Sequence, residues 1–464
     1  VPASWSTDAI VANLLREGLS WSGSTFTYGF PATAPGWSLG AEGDGFSAAV
    51  NSQKVAARLA ISLWDDLIAP SFVETTSSPQ ITFQNTTTNI GYAQAYFPGN
   101  YAGAGSIWFN PLYDSTTGTN DLVTPQVGAW GFLAYLHELG HALGLDHPGD
   151  YSGSVTYAND AAYAEDTLMY TVMSYFTADN TGADWVASNG HEYYAQTPML
   201  HDILAIQQLY GADMTTRAGN TVYGFHSNTG SPIFDFTKNL HPVLTIWDGG
   251  GVDVLDFSGF KTASRIDLHA GSFSDCDGMT DNVAIAFGCQ IENAKGGSGG
   301  DVLLGNSVAN LLFGNGGADT IMGDAGNDRL FGGGGADTLD GGAGFDRLYG
   351  GGGADRLTGG AGHDTFFFTN LAGSPVAARH DVITDFVSGW DYINLAGIDA
   401  IAGGADDAFH LVDGSAFTHH AGELVVQHNA TETLLLGDVN GDGIADFEIG
   451  CIGNITFGAG DIIL

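Results

Sequence analysis

Residues His137 to His147 read HELGHALGLDH. His137 and His141 are one helical turn apart, so on a helix both imidazoles leave the same face and can share one metal ion. Glu138 follows the first histidine; its carboxylate points away from the ligand direction but reaches a water on the metal, where a general base is needed. Gly144 lets the chain reverse and return His147 as a third nitrogen ligand, which leaves one position of a tetrahedral zinc site open. An open position marks a catalytic site. Zinc held this way lowers the pKa of its water toward ~7 while polarising a peptide carbonyl, and Glu138 takes the proton and passes it to the leaving amine. A purely structural zinc site needs no carboxylate beside its first histidine.

These side chains must be carried by a helix, and residues 126–143 have the apolar, helical pattern for one, closed by a left-handed Gly144. Residues 55–68 space Val55, Leu59, Leu63 and Leu67 four apart, which predicts an amphipathic helix on a core. Mixed β-branched and aromatic runs predict strands at 81–84, 91–97 and 106–110. A third helix is predicted over 200–210, stopped by Gly211. Helices and strands thus mix up to about residue 215, which makes residues 1–215 an α+β domain.

Residues 216–464 lack a helical period and read as all-β. Between 296 and 367 a nine-residue unit, first GGSGGDVLL, recurs eight times without insertion. Aspartate recurs at Asp301, Asp319, Asp328, Asp337, Asp346, Asp355 and Asp364, with Asn310 in the remaining slot. Two places later comes an apolar residue: Leu303, Leu312, Ile321, Leu330, Leu339, Leu348, Leu357 or Phe366. Glycines permit a tight turn with inward carbonyls, the aspartate adds a hard anionic oxygen for calcium, and the apolar residue fills a core. Two units complete one turn of a parallel β-roll, and calcium becomes part of the fold because stacked aspartates otherwise repel.

Twelve Lys+Arg against 52 Asp+Glu leave a net charge of −40. Binding to nucleic acid or an anionic membrane would work against that charge, whereas multivalent cations suit it. No apolar stretch approaches the ~18–20 residues of a membrane span. The start, VPASWSTDAIVANLL, lacks a basic leader region, so either a leader has been removed or export takes another route. Three cysteines cannot build a disulfide framework; a Cys276–Cys289 bridge stays open, with buried free thiols the preferred reading.

The extended HELGHALGLDH motif resembles that of the metzincin metalloproteases. TVMSYF at 171–176 and HPGDY at 147–151 narrow the resemblance to the serralysin family, over essentially the whole chain. It implies an N-terminal metzincin-like catalytic domain followed by a β-roll of RTX repeats with a β-sandwich. Met173 would form an apolar floor under the metal. Tyr175 would ligate zinc at rest and swing away to stabilise the transition state. An extended substrate would lie along an edge strand resembling residues 103–110. WDGGGVD at 247–253 and IENAKGG at 291–297 resemble further calcium loops, with Asp248, Asp253 and Glu292 as side-chain ligands and Gly250, Arg217, Gly219 and Thr221 completing the first. DVNGDGIAD at 438–446 also looks like a calcium loop, but Ile449 stands where glutamate is expected, and a polar turn is an equal reading. The resemblance further implies a secreted monomeric endopeptidase of broad specificity, acting on proteins and peptides and open to a proteinaceous inhibitor. Asp461 to Leu464 resembles the C-terminal signal read by type I (ABC) exporters of Gram-negative bacteria. The competing reading is a calcium-dependent adhesin with a vestigial zinc site.

Overall fold

The computed structural model describes residues 2–464 apart from 39, 89, 114–120, 152, 375, 377–379, 402, 404–406 and 459, and the side chain of 372. The chain divides into two compact units with alternating segments: residues 1–219, 231–251 and 270–289 form one, residues 220–230, 252–269 and 290–464 the other. The change of texture near residue 215 falls at the start of that alternation.

The first unit opens with helix α1 (Thr7–Leu14), capped by the Ser6 hydroxyl accepting from the Ala9 amide. Its sheet contains β1 (Thr25–Gly29), β2 (Ser47–Ala48), β3 (Ser71–Glu74), β4 (Ile81–Asn85), β5 (Ala93–Ala95) and β6 (Ser106–Phe109), in the order β3-β1-β4-β6-β5 with β2 paired to β4. Pairing is parallel except for β2 with β4 and β5 with β6. Helix α2 (Asn51–Asp65) forms as its pattern predicts, and of the predicted row Leu63 and Leu67 are buried while Val55 turns outward. Ala56, Ala57, Ala60, Ile61, Leu63 and Trp64 are buried, while Val55 is 63% exposed. A row spaced strictly by four drifts around a helix of 3.6 residues per turn, so the core-facing set mixes steps of three and four.

Helix α3 (Trp130–Leu143) is buried from Gly131 onward and packs on α2, β5 and β6. It ends at Gly144, whose φ of +114 is left-handed and where a Cβ would lie 2.3 Å from the Leu19 carbonyl oxygen. A one-turn helix α4 (Tyr157–Asp160) and then α5 (Leu200–Tyr210) follow.

The second unit is built on two sheets of parallel strands. Strands in the same sheet pair at a step of 18 residues, as Leu312 with Leu330 and Leu303 with Ile321, so two nine-residue units make one turn. All eight apolar residues of the repeat are 0% exposed. The roll is extended by an antiparallel group formed by Glu423–His428, Glu432–Asp438 and Phe447–Ile452. Cys276, Cys289 and Cys451 are buried free thiols.

Candidate metal centre and catalytic cleft

Helix α3 and its sharp end deliver three imidazoles to one point. His147 Nε2 lies 3.1 Å from His137 Nε2 and 3.0 Å from His141 Nε2. The outer nitrogens are anchored: His137 Nδ1 is 2.7 Å from the Val172 carbonyl, and His141 Nδ1 is 2.7 Å from the Leu145 carbonyl. A carbonyl only accepts, so each Nδ1 carries the proton and each Nε2 presents a lone pair. Burial lowers the pKa of His137 to about 3 and of His141 to about 4, and it depresses His147 as well, so all three stay neutral. Three imidazole nitrogens converging on one point, two of them with lone pairs fixed by their Nδ1 partners, form a donor set that suits zinc.

Glu138 is buried beside them, and its Oε2 has no hydrogen-bond partner among the described residues. Burial raises its pKa to about 8. A cation at the three imidazoles would favour its charged form. Together with His137, Tyr175 and Val172 it lines a cavity of about 250 Å³ walled by Tyr92, Trp130 and Leu133. Tyr175 is 48% exposed, with its ring centroid 4.8 Å from that of His147 and 4.6 Å from the stacked Tyr151 ring. Burial and the nearby Glu138 raise its pKa, which keeps the phenol protonated.

Met173 is fully buried under helix α3. Gly140 makes room for it: a Cβ there would lie 2.6 Å from Met173 Sδ. The Met173 turn is held by Asp202, which sequence reading missed. Its Oδ1 accepts from the Thr171 hydroxyl at 2.6 Å, and its Oδ2 accepts from the Val172 amide at 2.7 Å and the Met199 amide at 2.8 Å. A missed second carboxylate, Asp166, accepts from the Tyr151 hydroxyl and, at 2.7 Å, from the Ser174 hydroxyl. No local pattern marks Asp202; the only signal is an acidic residue inside an apolar helical face.

The substrate strand expected at residues 103–110 needs correction. β6 is buried and paired on both sides, by β4 and β5. The edge is β5, whose Ala93 also lines the cavity. A glycine-rich approach and aromatic content mark a strand but not its place in the sheet, which distant pairing decides.

In the first unit, Asp248 is buried and accepts from the Gly250 amide at 2.7 Å, while Gly219 donates to the Arg217 carbonyl at 2.8 Å. In the second, Asp253 accepts from the Thr221 amide at 2.7 Å and donates its own amide to Glu292 at 2.7 Å. The repeat aspartates form two columns in which each Oδ1 accepts from the amide one turn earlier: Asp301 donates to Asp319, Asp319 to Asp337 and Asp337 to Asp355, and Asp328 to Asp346 and Asp346 to Asp364. The Oδ2 atoms of Asp319, Asp328, Asp337, Asp346 and Asp355 are buried with no partner among the described residues. Burial raises these carboxyls, to about 7 for Asp328 and Asp337.

Asn310 breaks the pattern without strain, since its Oδ1 accepts from the Asn306 amide at 2.8 Å and its Nδ2 donates to the Glu292 carbonyl at 2.6 Å. The columns also run past residue 367, because the Asp355 amide donates to Asp381 and the Asp364 amide to Asp391. Sequence reading missed this pair. Each stands two residues before an apolar core residue, Ile383 or Ile393, but insertions break the period. In the 438–446 loop, the Asp438 carboxylate already accepts from the amides of Asn440, Gly441 and Gly443.

Residues 212–464 match the family described as Peptidase M10 serralysin C terminal. The chain is 42% identical over 467 residues to metalloprotease AprA of Pseudomonas entomophila (strain L48), covering 97% of this chain and 89% of that protein. It is 41% identical over 468 residues to metallopeptidase AprA of Pseudomonas marginalis, covering 97% and 90%. It is also 41% identical over 421 residues to serralysin of Photorhabdus luminescens, covering 89% and 76%.

Proposed function

The chain belongs to the serralysin family of metalloendopeptidases, and from that premise we propose that a single zinc ion held by His137, His141 and His147 makes it a peptide-bond hydrolase of broad specificity. The observation that carries the reading is the convergence of three Nε2 atoms, with the Nδ1 of His137 tied to the Val172 carbonyl and that of His141 to the Leu145 carbonyl. Zinc supplies Lewis acidity to the scissile carbonyl and to the attacking water.

The rest is the work of the chain. Glu138, buried and with Oε2 unbonded among the described residues, accepts the proton of the attacking water and returns it to the leaving amine. Tyr175 is close enough to His147 to serve as a further ligand at rest; turned outward, its protonated hydroxyl donates to the developing oxyanion. Met173, seated against Gly140, supports the ligand helix from below. An extended peptide adds to the free edge of β5 through backbone hydrogen bonds, which favours broad rather than sequence-specific cleavage.

Calcium is assigned to the carboxylates of the roll, Asp301, Asp319, Asp328, Asp337, Asp346, Asp355 and Asp364, and to the loops around Asp248, Asp253 and Glu292. In the roll, the buried Oδ2 atoms of Asp319, Asp328, Asp337, Asp346 and Asp355, without a partner among the described residues, and their raised pKa support this role. A roll that needs calcium stays unfolded where the ion is scarce and folds outside the cell, which fits secretion by a type I exporter. Ile462–Ile463 pairs with Ile393 and Asn394, so an exporter reading that segment must engage the chain before it folds.

Casein hydrolysis by calcium-loaded protein, blocked by phenanthroline and restored by zinc, tests the assignment. Zinc-replete protein with no hydrolysis would leave the adhesin with a vestigial site.

A further inference from the structure

On a chain with 52 acidic residues, four neighbouring strands of the roll carry none. Along the sheet formed by Leu311–Gly316, Arg329–Gly334, Arg347–Gly352 and Thr365–Phe367, two outward columns run from strand to strand. One is Leu311, Arg329, Arg347 and Thr365, in register. The other is Phe313, Phe331, Tyr349 and Phe367, whose rings stack at 4.7, 4.4 and 4.4 Å.

Arg329 and Arg347 are exposed and directly opposed on neighbouring strands, where like charges destabilise a sheet. Arg16, Arg58, Arg217, Lys238, Arg265 and Lys295 each pair with a carboxylate. Among the described residues the guanidiniums of Arg329 and Arg347 pair with no carboxylate, and that of Arg329 lies 5.9 Å from the Phe331 ring centroid. Rings stacked face to face along the column turn their edges outward, and an aromatic edge carries partial positive charge. Guanidiniums and ring edges together make an electropositive strip.

We propose that this strip is a docking surface for a linear, carboxylate-bearing polysaccharide lying along the stack of strands. An anion bridging the two guanidiniums relieves their repulsion, and the bidentate geometry of arginine suits carboxylate. A narrow polymer meets only the strip, whereas an anionic membrane would also meet the field of a chain of net charge −40. An acidic peptide is disfavoured because the strands 311–316, 329–334 and 347–352 are each paired on both sides and offer no edge for its backbone.

The test is titration of calcium-loaded full-length protein with hyaluronan oligosaccharides, dextran and poly-glutamate by calorimetry at low and high salt. Expected are binding of hyaluronan that weakens with salt, no binding of dextran, and about tenfold or greater loss of affinity in R329S/R347S. Casein hydrolysis should be unchanged in R329S/R347S. R356S, which removes an arginine from the other sheet, should bind hyaluronan like the parent. Equal affinity of the parent and R329S/R347S, or tighter binding of poly-glutamate than of hyaluronan, would overturn the proposal.

Discussion

Asp202 Oδ2 accepts the Val172 amide proton at 2.7 Å. The Val172 carbonyl in turn lies 2.7 Å from His137 Nδ1, so a buried carboxylate on α5 orients a ligand of α3 through a single residue, Val172. Substituting Asp202→Asn keeps the size but removes one acceptor oxygen. Zinc affinity is expected to fall about tenfold, as for other outer partners of metal ligands, with a loss of roughly 1–3 kcal/mol in stability from the donor left unpaired. Chelator competition and urea unfolding measure the two effects.

Gly140 sits mid-helix, where alanine would ordinarily stabilise by about 1 kcal/mol. Here the added methyl meets Met173 Sδ at 2.6 Å. Gly140→Ala is therefore expected to destabilise, by about 1–3 kcal/mol, and thermal melting of the zinc-loaded protein gives the sign.

Without calcium, the roll should weaken as pH rises. Asp328 and Asp337 are raised to about 7 and Asp381 to about 8, chiefly by burial, against about 3.9 for unfolded aspartate. The folded state then binds more protons than the unfolded one, and its advantage is lost as pH climbs through the folded values. In EGTA the second unit should melt lower at pH 8.5 than at pH 6.5. A higher melting temperature at pH 8.5 would contradict this.

Asn310 shows how a repeat turn can close without a cation, with its amide satisfied by backbone groups on both sides. Asp337 Oδ2, by contrast, is buried with no hydrogen-bond partner among the described residues. Asp337→Asn should raise stability in EGTA by about 1–2 kcal/mol, lower it in saturating calcium, and bind less calcium per chain. Melts in both conditions, with calcium analysis, would reveal the crossing.

Much of this was legible in the residues. Spacing of one turn places His137 and His141 together, Gly144 marks the helix end, and a nine-residue period fixes eight core residues of the roll. What was not legible depends on pairing far apart in sequence. The edge position of β5 comes from sheet order, Asp202 acts across 30 residues, and Asp381 and Asp391 continue the columns only after insertions. The outward turn of Val55 escaped because a row of every fourth residue drifts around the helix, so Leu63 and Leu67 are buried while Val55 faces solvent.

The central claim is that three imidazoles hold zinc while Glu138 alone moves the proton. Zinc content and casein turnover, measured together on calcium-loaded Glu138→Gln, test it most directly. One zinc per chain with turnover reduced about a thousandfold is the expected result. Turnover like that of the parent protein would contradict it.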